Sequence, residues 1–210
     1  IDTCTIKKHQ HLYKMCWVCI YRVFEGVKMR QRAKDKIIKS MILLLEEHPF
    51  ENITIKMLCA YSGINRTTFY DYFVDKYDLL STIQMYHLQK YSKLLNSLYD
   101  SQNKEEINHY KLYKFFKSIL TYIERHYGFF HAIFVSHPNR DLFSDYVTLT
   151  KETYTKIIID YTNVKKKKQF VTYALGGQIG IVYLWIREGC PESADELAQI
   201  LLANVIKLRR

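Results

Sequence analysis

Three features of the sequence predict an all-α fold. Glycine and proline are scarce, 7 and 3 in 210 residues, too few for the turns an all-β chain of this length requires. Apolar residues recur three and four apart through successive segments, a spacing that lays one stripe along a helix. Hydrophobic residues make up 48% of the chain, enough for a sizeable core and far from the composition of a disordered one. The expected architecture is a three-helix, helix-turn-helix head on an antiparallel helical-bundle body, about nine helices in all. The domains divide as an extension at 1–28, a head at 29–80 and a body at 81–210. No apolar run reaches the roughly 20 residues of a membrane span, so no membrane partner is expected.

Residues 1–28 have no helical period and are expected to lie outside the fold. Lys7, Lys8 and Lys14 precede the apolar run MCWVCIY, as in a secretion signal. That run is short, Arg22 interrupts its continuation, and no small-residue cleavage site follows. Cys16 and Cys19 have metal-ligand spacing, but their crowded companions His9 and His11 do not resemble a zinc knuckle. No metal or other cofactor is expected. Translation is expected to begin at Met29, because Glu25-Gly26-Val27-Lys28 can be encoded by purine-rich codons resembling a ribosome-binding site.

From Met29 the helical pattern is clear. Arg30, Arg32, Lys34 and Lys36 lead into Ile37, Ile38, Met41, Leu44 and Leu45, an amphipathic helix that Pro49 stops. Phe50 and Ile53 are expected to close the small core beneath the next stretch. There Thr54 is placed to cap a helix carrying Ile55, Leu58 and Cys59. Ser62-Gly63 breaks the pattern, since glycine takes a positive φ without steric cost. Ile64 plugs the turn, and Asn65 caps a second helix running to about Phe73. Phe69 and Phe73 face inward, which leaves Arg66, Thr67, Thr68, Tyr70 and Tyr72 to an outside partner.

A helix, a glycine turn and a short helix showing Arg, Thr and Tyr form a helix-turn-helix arrangement, whose second helix enters a DNA major groove. Arginine reads guanine edges, threonine offers a hydroxyl and a methyl, and tyrosine hydroxyls reach phosphate oxygens. On these residues, Arg32 to Leu80 resembles the DNA-binding domain of the TetR family of transcriptional regulators. The matching features are the first amphipathic helix, Phe50 before Ile53-Thr54, the Ser62-Gly63-Ile64 turn, and Thr-Phe-Tyr-x-Tyr-Phe followed by Asp75-Lys76. The resemblance implies that Thr54 and Lys76 hold phosphates from the starts of their helices, that Tyr70 and Tyr72 hold phosphates too, and that Arg66, Thr67 and Thr68 face base edges. Lys56 and Asn65 complete the expected DNA-facing set.

The net charge of +10 fits a nucleic-acid partner, but its distribution does not single out the head. Between Met29 and Leu80 eight Lys or Arg stand against seven Asp or Glu. Phosphate contacts there must come from placed residues and helix N-termini, not from a broad positive field.

Asp75 to about Leu98 reads as one longer helix that joins head to body in the resembled family, and 101–106 as a polar loop. In the body, Leu112, Phe115, Phe116, Ile119, Leu120 and Ile123 mark an amphipathic helix that Gly128 is expected to end. A short apolar helix at 129–134 and a longer one from Asp141 to Tyr161 follow. The run Lys165 to Lys168 is unfavourable at the positive end of a helix dipole, which places it in a loop or frayed first turn. Residues 170–188 hold Gly176, Gly177 and Gly180 in an apolar helical pattern, each costing about 1 kcal/mol against alanine unless a close helix approach compensates. Gly189 caps that helix, and Pro191-Glu192-Ser193 begins the last one, Leu197 to Leu208.

Two terminal helices with wide apolar faces suggest pairing with a second copy as a four-helix bundle. Gly176, Gly177, Gly180, Ile181, Leu184, Leu197 and Leu201 are the expected interface. TetR-family proteins dimerise through their last two long helices, and the Gly-Gly-x-x-Gly to Pro-Glu ending resembles the branch named for dihydroxyacetone kinase activators. Phe116, Phe129, Phe130, Phe134, Tyr173 and Trp185 are candidates to line an apolar cavity for a small-molecule effector of unknown identity. His126, His131 and His137 are too scattered for a metal site.

No phosphate-binding glycine loop, HExxH pair, nucleophile elbow or acid/base pair occurs, so an enzyme is not expected. The expected function is a cytoplasmic, homodimeric regulator, a repressor before an activator, bound to palindromic double-stranded DNA under effector control. The nearly neutral head keeps one other expectation open, a sensor of the same fold that acts through a protein partner without DNA.

Overall fold

A computed structural model of the chain describes residues 31–99, 109–161 and 166–208. Helix α1 spans 31–47. A 3-10 turn at Phe50–Asn52 follows, then α2 (Ile55–Ser62), α3 (Arg66–Tyr70), α4 (Lys76–Tyr99), α5 (His109–Arg125) and α6 (Tyr127–His131). After a π turn at Ala132–Ser136 come α7 (Arg140–Tyr161), α8 (Lys167–Arg187) and α9 (Ala194–Leu208). These nine helices stand without a strand among the described residues, in agreement with the all-α expectation. The expected 1–28 extension, the Met29 start, the 101–106 loop and Lys165 lie outside the described residues.

The head closes over one small core. Ile37, Met41 and Leu44 of α1, Ile53, Leu58 of α2 and Phe69 of α3 are wholly buried. Phe73 and the first turns of α4, through Leu79, Leu80 and Ile83, complete it. Helix α4 then continues into the body, where His87 and Leu95 are buried in turn. The same rod therefore belongs to both cores.

In the body α5 packs between α4 and α9, and α7 packs on α8 and α4. The buried face of α5 carries Leu112, Phe115, Phe116, Leu120 and Ile123, the stripe its spacing predicts. Tyr113 and Lys117 of α5 both donate hydrogen bonds to Asp195 Oδ1, which pins α5 to the first turn of α9. Helix α9 starts at Ala194, directly after the Pro191-Glu192-Ser193 expected to begin it, and Ser193 and Glu196 form a capping box.

Several expectations are corrected by packing. Helix α3 ends at Tyr70 rather than near Phe73, though Phe73 still turns inward through its N–H donated to Phe69 O. Helix α5 ends at Arg125, and Gly128 lies inside α6 instead of ending α5. Gly128 lies close to the head: a Cβ there would stand 2.7 Å from Glu46 Oε1, the movable end of that side chain, and 3.5 Å from Ile42 Cγ2 of α1. Lys166 sits before α8 in a left-handed conformation, and Lys167 and Lys168 occupy the first turn of that helix.

Among the described residues no close approach explains the glycines of α8. Gly176, Gly177 and Gly180 are exposed, with nothing within 4 Å of a Cβ built at any of them. Leu197 and Leu201, expected beside them, turn the other way and are 3% and 2% exposed against the protomer's own core. Ile181 is half-buried and Leu184 exposed. Among the described residues α8 is the one helix long and apolar enough to cross a membrane by length and composition, with a mean hydropathy of 1.2 over an 18-residue window.

Candidate functional site

The exposed corner of the head is built from two capped helices. The Thr54 hydroxyl oxygen accepts the Met57 N–H at 3.2 Å and so starts α2. Gly63, at φ 65° and ψ 30°, ends it in the left-handed region that other residues reach only with strain. Asn65 Oδ1 then accepts the Thr68 N–H at 2.7 Å and starts α3. Such capping matters at this site because five residues cannot hold a helix by propensity alone.

Helix α3 is anchored on one side and open on the other. Phe69 is wholly buried, with Tyr70 and Phe73 packed against its ring at 5.6 and 5.9 Å. Arg66, Thr67 and Asn65 are exposed, and Tyr70 is half exposed. Thr68 and Tyr72 are half-buried, Tyr72 lying against Phe73. Thr54 and Lys56 are exposed on the adjoining start of α2. Most of the expected DNA-facing residues thus share one corner of the head.

Lys76 is the exception. Its ammonium donates to the carbonyls of Phe50, Glu51 and Ile53 at 3.0, 2.9 and 2.8 Å. All three of its protons are engaged, so the ammonium forms an internal clamp, and the phosphate contact expected at this position is one made from the start of α4. The clamp ties the start of α4 to the 3-10 turn and lies over the Phe50 ring, 4.8 Å from its centroid.

The second concavity lies in the body, an apolar cavity of about 110 Å³ between α4, α5, α7 and α8. Phe116, Phe130 and Phe134 line it as expected. Phe129 does not: it is buried and stacked on His87, ring centroids 4.0 Å apart. Trp185 is likewise plain core, its indole N–H donated to Glu192 O at 2.9 Å. Tyr173 is 69% exposed and stands on the outer face of α8 beside the glycines. Helical spacing could not separate these cases, because core and cavity residues occupy the same inward stripe.

The cavity's polar groups went unrecognised in the sequence. Tyr146, Thr150 and Tyr154 stand four apart on α7, and the threonine on an otherwise apolar stripe was the available signal. Thr150 Oγ1 donates to Tyr146 O at 2.7 Å, so the Tyr91 hydroxyl, also at 2.7 Å, donates to Thr150. The Tyr154 hydroxyl donates to Gln178 Oε1 at 2.6 Å. Tyr146 Oη is buried without a partner. Burial pushes these phenols up, Tyr91 to about 12 and Tyr146 and Tyr154 further, so all three are neutral and hold their protons.

Between head and body, His87 of α4 is packed among the Tyr86, Tyr122, His126, Phe129 and Phe130 rings. Its Nδ1 lies 2.7 Å from the Tyr122 hydroxyl. Burial, reinforced by His126, lowers its pKa to about 3, so the imidazole is neutral. Among the described residues no group of His, Cys, Asp and Glu is placed to hold a metal ion.

Comparison with known proteins bears on both regions. The family profile described as bacterial regulatory proteins, tetR family, matches residues 37–83. A second profile, transcriptional regulator C-terminal region, matches residues 110–207. None of the curated proteins matches the sequence. Among solved structures, the dihydroxyacetone kinase operon activator DhaS is 18% identical with a TM-score of 0.53, covering 83% of this chain and 94% of its own. The fatty acid degradation regulator FadR from Bacillus halodurans is 12% identical with a TM-score of 0.63, over 83% and 94%. FadR from Bacillus subtilis, in complex with stearoyl-CoA, is 14% identical with a TM-score of 0.59, over 81% and 96%.

Proposed function

The chain belongs to the TetR family of transcriptional regulators, and from that premise we propose that it is a homodimeric repressor. It binds a palindromic operator through α3 and is released by a small molecule held in the body. The observation that carries this reading is the corner around Asn65–Tyr70. Exposed Arg66, Thr67 and Tyr70 stand on a short helix fixed by Phe69 and two caps. Side chains held rigidly from below can be laid against base edges and phosphates with little loss of freedom on binding.

The open side of α8 supports the twin subunit. Gly176, Gly177 and Gly180 leave room for another helix to approach, and Tyr183, Leu184 and Ile200 of α9 are exposed apolar neighbours. A second copy covering this face would set the two α3 helices about one DNA turn, roughly 34 Å, or more apart. Since α4 belongs to both cores and Gly128 abuts α1, a ligand favouring one packing of the body shifts the spacing of the heads and so the affinity for DNA.

Selection of bound sequences from random duplex DNA tests the reading. A palindromic site whose affinity falls as salt rises is the expected result. A chain that stays monomeric and enriches no sequence would refute it.

A further inference from the structure

We propose that the body cavity takes a compact, uncharged, apolar molecule bearing a single hydrogen-bond acceptor, and that the Tyr146 hydroxyl donates to that acceptor. The inference rests on reading the body as the effector domain and adds the chemistry of what enters it. Size comes first. A cavity of about 110 Å³ suits one ring, for cavities of about 150 Å³ lined by aliphatic and aromatic side chains take up benzene. Charge comes next. Among the described residues no Lys, Arg, His, Asp or Glu lines the cavity, so a carboxylate or ammonium would enter without a counter-ion, which is prohibitive.

Polarity is decided by the hydroxyl donors on the wall. Tyr91 gives its proton to Thr150, Thr150 gives its own to the Tyr146 carbonyl, and Tyr154 gives its proton to Gln178. Among the described residues, Tyr146 is the buried hydroxyl of this wall whose proton has nowhere to go. It is 6% exposed, held edge-on by Tyr91, Phe130 and Phe134, and its hydroxyl has no partner. A buried hydroxyl left unpaired is costly, and a ligand acceptor removes that cost on binding. A ketone or ether on a small ring meets all three requirements.

The test uses the full chain and three probes of similar shape: cyclohexanone, methylcyclohexane and cyclohexanecarboxylate at pH 7.5. Affinities are read from the rise in unfolding temperature with ligand concentration. Cyclohexanone is expected to bind about tenfold more tightly than methylcyclohexane, and the carboxylate not to stabilise the protein. Tyr146→Phe is expected to abolish the ketone's advantage and leave the hydrocarbon's affinity unchanged. The same variant without ligand should melt at or above the wild-type temperature. Equal binding of ketone and hydrocarbon, preference for the carboxylate, or a less stable Tyr146→Phe variant would overturn the inference and leave the effector cavity standing. If none of the three binds, both the inference and the effector part of the proposed function fall, while the DNA selection stands as its own test.

Discussion

At the scale of single residues, the same chemistry serves different ends a few ångströms apart. Lys76 and Arg66 are both cations on the head, yet Lys76 is fixed by three carbonyls and Arg66 stands in the open. Lys76→Met is therefore expected to destabilise the head by on the order of 2 kcal/mol, seen as a lower urea midpoint. Lys76→Arg should recover only part, because a planar guanidinium cannot point three protons at three converging carbonyls. Wild-type stability with weakened DNA binding in Lys76→Met would instead restore the phosphate role. Arg66→Ala should relax base preference at one position of each half-site, costing roughly 1–3 kcal/mol there. Tyr70→Phe should weaken binding evenly across sequences, and a changed preference in the selection experiment would show that Tyr70 reads a base.

At the scale of elements, α3 shows how a helix too short to be stable is made reliable. Its start is fixed by Asn65, its middle by Phe69, and its distance from α2 by the left-handed Gly63. Asn65→Ala is expected to cost about 1 kcal/mol and Gly63→Ala about 1–2 kcal/mol. Both should lower the affinity for DNA without altering which sequence is preferred. Binding selections on the two variants check this, since a new preference would mean that Asn65 itself contacts a base. Helix α8 makes the complementary point, its buried face completing the body while its glycine face has nothing against it in the protomer.

At the scale of the whole molecule, α4 ties two cores together, and His87 sits where they meet. Unfolded, this histidine binds a proton near pH 6.5, whereas folded it resists until about pH 3, chiefly because it is buried. Between those values the unfolded chain holds more protons, so stability is full above about pH 6.5 and falls as pH drops toward 3. His87→Gln should lessen this acid sensitivity by on the order of 2 kcal/mol, allowing for partial solvent access. Urea midpoints from pH 8 to pH 4 measure it, and parallel slopes for both proteins would refute the assignment. On the exposed face of α8, Leu184→Asp is expected to separate the proposed dimer and, with it, tight operator binding. Sedimentation at several concentrations decides that, and an unchanged dimer would move the interface elsewhere.

Local chemistry was enough to read the head in the sequence. Caps, a glycine turn and phenylalanines four apart each act over a few residues, so Thr54, Gly63, Asn65 and Phe69 announce the motif and the family before any packing is known. The all-α class follows equally from spacing and from scarce turn residues. What only tertiary structure decided was which way equivalent side chains face. Leu197 and Leu201 turn into the protomer while Leu184 turns out, and Phe129 and Trp185 fill the core while Tyr146 borders a void. Periodicity shows that a stripe is apolar, but whether a neighbouring helix, a cavity or a second copy meets it depends on residues far away in the chain. Lys76 follows the same rule, since the carbonyls that hold it lie more than twenty residues earlier and converge only once the head has folded.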